Sequence, residues 1–210
     1  MHINFLKTRI QTIPPSLIVY AVLLTLAVCG CNAIKAVGKN PSGEALKRIE
    51  TMPNYKNGEF QNLYEGIQRS VVAGRSRKPG WLRLLKFLEG QPKTVLPSKP
   101  LFSINTDLIN TTFDKPTVIW FGHSSFLLKS GTANILFDPS FSGFAGPFKG
   151  AIKAFAGSNM YNEHDMPVLD ALVISHDHYD HLDYLTIKRL RKKIKRVIVP
   201  IGVGSHFRYW

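Results

Sequence analysis

Ser175-His176-Asp177-His178-Tyr179-Asp180-His181-Leu182-Asp183 decides how this chain is read. Three histidines and two aspartates, Asp177 and Asp180, fall within six residues, directly after the apolar run Ala171–Ser175, which has the character of a buried strand. Imidazole and carboxylate are the side chains that hold Zn²⁺ and related divalent ions. Residues two apart on an extended segment point the same way, so His176 and His178 can share one ion. The chain must then turn, which lets Asp180 and His181 face the site from its other side and hold a second. Two ions about 3.5–4 Å apart would share a water whose lowered pKa makes it a nucleophile at neutral pH. Four ligand-type residues in this order do not read as a polar loop with incidental histidines.

Outward from the cluster, the surrounding pattern is layered. Thr117–Phe121, Ser125–Lys129 and Asn134–Phe137 are short β-rich runs separated by Gly122 and Ser130-Gly131, and Asp138-Pro139 ends the third. A Gly-, Phe- and Lys-rich loop, Phe141 to Ser158, is long enough to be functional or mobile. Asp183 is placed to cap a helix over Tyr184–Lys195, with Ile187, Leu190 and Ile194 on one face. Arg196–Pro200 then reads as another buried strand. Strand, loop, helix, strand predicts an α/β domain over residues 116–210, with helices covering a sheet. Lys188, Arg189, Arg191, Lys192, Lys193, Lys195 and Arg196 read as a solvated outer face, with docking on acidic lipid head groups as the rival.

The whole chain has 210 residues, room for one domain or one domain with an appendage. With 44% hydrophobic and 20% charged residues it is not generally disordered. Its 27 Lys+Arg against 14 Asp+Glu give a formal charge of +13, which suits an anionic neighbour such as a membrane surface or a phosphorylated substrate. Nucleic acid is not expected as a partner, because no zinc-finger, RNP or helix-turn-helix pattern accompanies the charge. Cys29 and Cys31 are the only cysteines, which excludes a disulfide-stapled scaffold.

Residues 1–30 read as a lipoprotein-type signal peptide rather than part of the fold. Lys7 and Arg9 precede the uncharged run Leu17–Val28, which is short for a membrane span of about 20 residues. Val28-Cys29-Gly30-Cys31 resembles the bacterial lipobox, with Cys31 as the lipidated residue; an uncleaved anchor or a buried hydrophobic helix are the alternatives. Either membrane form places the remainder in the bacterial cell envelope, anchored and facing the periplasm or the exterior. Residues 31–62 are polar and punctuated, a tether with one helix at Glu44–Glu50. Residues 63–115 form a basic extension packing on or beside the domain. Within it, Trp81–Leu88 could be a short amphipathic helix, lying on the domain or on a membrane.

His176-x-His178-x-Asp180-His181 resembles the signature of the metallo-β-lactamase fold, an αββα sandwich of two similar halves. The surroundings resemble the branch that contains N-acyl-phosphatidylethanolamine-hydrolysing phospholipase D. The resembling pieces are Trp120-Phe121-Gly122-His123-Ser124-Ser125, Phe137-Asp138-Pro139-Ser140-Phe141, Ile174 through Asp183, and Val199-Pro200-Ile201-Gly202-Val203-Gly204. The resemblance covers residues 115–210. It implies that His176 and His178 bind a first divalent metal ion, Asp180 and His181 a second, with Zn²⁺ the expected species. Catalytic roles fall to Asp180 and to His123, the latter near the site mouth as a substrate contact or a support for the ligands. Asp138 is expected to orient the site loop, and His206, beside Phe207, Tyr209 and Trp210, to serve packing.

The implied activity is hydrolysis of a phosphodiester, a phospholipid first, by a metal-bound hydroxide. Hydrolysis of a small phosphorylated lactone or ester is the alternative within the same chemistry. A non-catalytic, membrane-anchored metal- or lipid-binding protein is the alternative outside it. The resemblance also implies a further His for the first metal and a bridging Asp and a final His for the second. After His181 the sequence holds only His206, and after Asp183 no Asp or Glu. The expectation is therefore the first half of the sandwich, a truncated chain that binds metal weakly, hydrolyses little on its own and exposes an apolar sheet face.

Overall fold

The structure, a computed structural model, describes residue 20 and residues 33–63, 97–147 and 152–210. The expected signal peptide with Cys31 lies outside the described residues, Tyr20 excepted, as does the expected amphipathic helix Trp81–Leu88. Among the described residues no helix is long and apolar enough to cross a membrane.

Residues 33–37 are helical, and α1 spans Glu44–Glu50, where the sequence placed it. Glu44 in its first turn and Lys47 and Arg48 in its last complement the helix dipole. Its one buried residue, Ile49, faces Gly202. A two-residue hairpin follows, β1 (Tyr55–Lys56) against β2 (Glu59–Phe60). Its turn, Asn57-Gly58, has both residues left-handed, at φ 56° and 82°, the pairing that a tight hairpin selects.

The main sheet is five-stranded and mixed. β3 (Thr117–Gly122), β4 (Ser125–Ser130) and β5 (Ala133–Phe137) form an antiparallel meander. β8 (Ala171–Val173) then joins β5 in parallel, and β9 (Val197–Ile198) joins β8 in parallel, in the order β3-β4-β5-β8-β9. A helix, α2 (Tyr184–Leu190), makes the crossover between the two parallel strands. A small hairpin, β6 (Phe144–Ala145) and β7 (Ile152–Lys153), occupies part of the segment expected as a loop over Phe141–Ser158. The last element is α3 (Gly204–Tyr209).

Alternation along the strands sends Leu127, Leu136 and Leu172 into a core shared with Ile187 and Leu190 of α2 and with Leu108, Met166 and Leu169. Full burial of each such leucine contributes about 2 kcal/mol. The opposite face is also apolar but open: Val118 and Trp120 are 58% and 69% exposed, and Phe126 and Phe137 stack there at 4.3 Å.

Three expectations are corrected. The strand expected over Arg196–Pro200 is only Val197–Ile198, and both residues are exposed, because β9 is an edge of the described sheet. The helix ends at Leu190 rather than Lys195. Lys193, assigned to the solvated face, turns back instead: its Nζ donates to the carbonyls of Glu163, His164 and Met166 at 2.8, 3.2 and 2.6 Å. The other six basic residues are exposed as expected.

Residues 33–43 form a strap across α3. Lys39 N donates to His206 Nδ1 at 3.1 Å, and Trp210 Nε1 donates to the Lys35 carbonyl at 2.7 Å. Gly38, at φ 75°, lies against the His206 ring so closely that a Cβ would collide with it.

Candidate metal centre

The cluster is built at the carboxyl ends of β5 and β8, where the parallel strands release the chain into loops. β8 ends at Val173; Ile174 N still pairs with the Ile198 carbonyl at 3.0 Å. At Ser175 the backbone changes partner: its N–H donates to Asp138 Oδ1 at 2.7 Å, and its Oγ donates to Asp138 Oδ2 at 2.6 Å. Asp138 is buried and follows β5 directly, with φ at 40°. The turn predicted after His178 is closed by His181 N and Leu182 N, both donating to the His178 carbonyl, at 3.0 and 2.7 Å. Asp183 then caps α2 as expected, accepting from Leu185 N and Thr186 N.

Asp138 fixes two rings at once. Its Oδ2 accepts from His181 Nδ1 at 2.9 Å. Because the Ser175 hydroxyl proton is committed to the carboxylate, its oxygen is left to accept from His176 Nδ1 at 3.0 Å. Both assignments put the ring proton on Nδ1 and leave Nε2 of His176 and of His181 unprotonated, the form that binds a metal. A carboxylate behind a ligand histidine is the usual support of such rings. Burial, followed by the nearby His181 and His178, lowers the His176 pKa from its ordinary 6.5, which also favours the neutral ring.

His176 Nε2 and His178 Nδ1 are 3.0 Å apart, so the pair shares one side as the two-residue spacing predicted. His181 does not stand across from them; its ring centroid is 3.9 Å from that of His176. The two pairs adjoin. His123 reaches the same place from the turn between β3 and β4, its Nε2 3.0 Å from Asp180 Oδ2 and 3.3 Å from His181 Nε2. Ligand-type atoms of His123, Asp180 and His181 all lie within 4.8 Å of one another. The imidazoles and carboxylate converging here are a donor set suited to a divalent ion.

Asp138 orients the loop, as the sequence suggested. His206 is buried, holds the strap and lies 3.7 Å from Asp177, with its ring 5.9 Å from Trp210. Sequence reasoning missed Ser175; the signal available was a small hydroxyl residue at the end of an apolar strand, immediately before the first histidine.

Residues 133–210 match the Beta-lactamase superfamily domain. An uncharacterized protein of Mycobacterium tuberculosis is 32% identical over 162 residues, covering 77% of this chain and 42% of the relative. An N-acyl-phosphatidylethanolamine-hydrolyzing phospholipase D of Caenorhabditis elegans is 37% identical over 92 residues, 40% of this chain and 24% of the relative. Among solved structures, the diiron β-hydroxylase CmlA of Streptomyces venezuelae superposes with a TM-score of 0.36 at 24% identity, covering 47% of this chain and 19% of that one. The chain thus spans 42% of the length of the mycobacterial relatives it matches.

Proposed function

With residues 133–210 carrying a Beta-lactamase superfamily domain of metallo-β-lactamase type, we infer that the protein is a metal-dependent hydrolase acting on a phosphodiester, a phospholipid foremost. The observation that carries this is the convergence of His176, His178, Asp180 and His181 on one loop, with Asp138 and Ser175 fixing the ring tautomers behind it. His176 and His178 would hold one divalent ion, and Asp180 and His181 its neighbour. Such ions supply Lewis acidity at the phosphoryl oxygens and lower the pKa of a water to about 7. The chain's own residues hold the rings in register, keep Nε2 of His176 and His181 unprotonated and leave the mouth open through the exposed His178 and His123. The similarity to a phospholipase D supports the substrate class. The excess of basic residues and the lipobox-like Cys31 support a membrane-anchored place in the bacterial envelope, next to such a substrate.

Within these 210 residues no Asp or Glu follows Asp183, so the bridging Asp implied by the resemblance has no counterpart among them. The test pairs metal stoichiometry with hydrolysis of bis(p-nitrophenyl) phosphate, in this chain and in its mycobacterial relative. Metal in both, diester turnover in the relative, and loss of bound metal in His178→Ala are the expected results. A relative that takes up metal yet cleaves no diester would overturn the phosphodiesterase reading. Binding of anionic vesicles without any hydrolysis would move the protein to the lipid-binding class.

A further inference from the structure

We propose that His123 is itself a metal ligand, making His123, Asp180 and His181 the coordination face of the second metal position. The proposal rests on the metal-dependent reading above and goes beyond it by adding a residue from a different part of the chain. The three ligand-type atoms are separated by 3.0 Å (His123 Nε2 to Asp180 Oδ2), 3.3 Å (His123 Nε2 to His181 Nε2) and 3.7 Å (His181 Nε2 to Asp180 Oδ2). Bonds of about 2.0–2.2 Å arranged tetrahedrally place neighbouring ligand atoms about 3.3–3.6 Å apart. The triangle therefore has the size of one face of such a tetrahedron. With the His181 proton held on Nδ1 by Asp138, the atom that meets His123 is a lone pair.

The backbone at His123 points the same way. The residue opens the two-residue turn between β3 and β4 with φ at 47°, a left-handed position that glycine occupies at no cost and histidine does not. A register shift between Trp120 and Gly122 precedes it, and Trp120 Nε1 donates to the His123 carbonyl at 2.9 Å. Burial does not account for a histidine here, because its side chain is 59% exposed. An exposed His–Asp pair by itself contributes little to stability. Strain kept at an exposed residue whose ring nitrogen meets a second imidazole nitrogen and a carboxylate is the mark of a binding site.

The experiment is a Co²⁺ titration of the full 210-residue chain in detergent, followed by visible d–d absorption and by metal content after gel filtration. His123→Gly removes the ring while suiting the left-handed backbone, and His123→Asn, also tolerant of that conformation, is the second variant. Both are expected to weaken one class of Co²⁺ site at least about 10-fold and to alter its absorption bands, while the metal-free melting temperature of the Gly variant stays level or rises. Unchanged affinity and unchanged bands in both variants would overturn the proposal and leave the metal-dependent reading standing. A wild-type chain that takes up no Co²⁺ would instead overturn that reading, and this proposal with it.

Discussion

At the residue scale, the chemistry is concentrated in one short stretch, and its support comes from elsewhere. Asp138 accepts three hydrogen bonds, two from Ser175 and one from His181, and is itself buried. Asp138→Asn keeps the size and tolerates φ at 40°, but it presents a neutral amide to His181. Metal affinity is expected to fall about 10–100-fold with the fold retained, measured by competitive chelator titration beside circular dichroism. Asp138→Ala leaves buried donors unpaired and is expected to cost in addition about 2–3 kcal/mol of stability in urea unfolding. The candidate metal cluster was legible because histidines two apart after an apolar run state their chemistry locally. The hub was legible only in outline. Nothing in the sequence ties Asp138 to Ser175, 37 positions away, until β5 and β8 are laid side by side.

At the scale of elements, starts were more legible than ends. Asp183 announces α2 because a cap works through its immediate neighbours. The helix stops at Leu190, and beyond it Lys193 turns to the carbonyls of Glu163, His164 and Met166, partners no local pattern reveals. Lys193→Met is expected to cost about 2 kcal/mol, read in urea unfolding, since it strands those carbonyls. Thr186 joins α2 to the loop after β5: its buried Oγ1 accepts from Phe141 N at 2.9 Å and donates to Asp183 Oδ2 at 2.6 Å. Thr186→Val preserves shape and leaves Phe141 N–H unpaired, for an expected loss of about 1–3 kcal/mol. Asp170 fastens the start of β8 to β5 through Asn134 N and to Lys195 Nζ. The Lys195 hydrogen bond, followed by that of Asn134 N, lowers its pKa below the ordinary 3.8. A depressed carboxylate pKa contributes stability that is present above 3.8 and is lost as the pH falls below it. Asp170→Asn is therefore expected to flatten the acid limb of the stability–pH curve there and to leave its shape near neutrality unchanged. An acid limb as steep as the wild type's would show that the pair is not coupled to folding.

At the scale of the whole molecule, the described sheet has one face in the core and the other face apolar and open. Val118 and Trp120 on edge strand β3, with Phe126 and Phe137 next to them, form a surface that invites association. Val118→Lys is expected to lower concentration-dependent association in sedimentation velocity without altering metal uptake; an unchanged profile would place the association elsewhere. An exposed apolar sheet face was expected from the sequence, and among the described residues one is open at Val118 and Trp120. The edge position of β9 was not expected, because strand order is a property of pairing rather than of composition. The strap over α3 was equally illegible, since it joins residues 167 and 175 positions apart. That separation orders events in time. At a synthesis rate of about 5–20 residues per second, Lys39 waits roughly ten to thirty seconds before His206 exists. Anything that captures residues 33–43 during the wait reaches them before their own partners in the fold do.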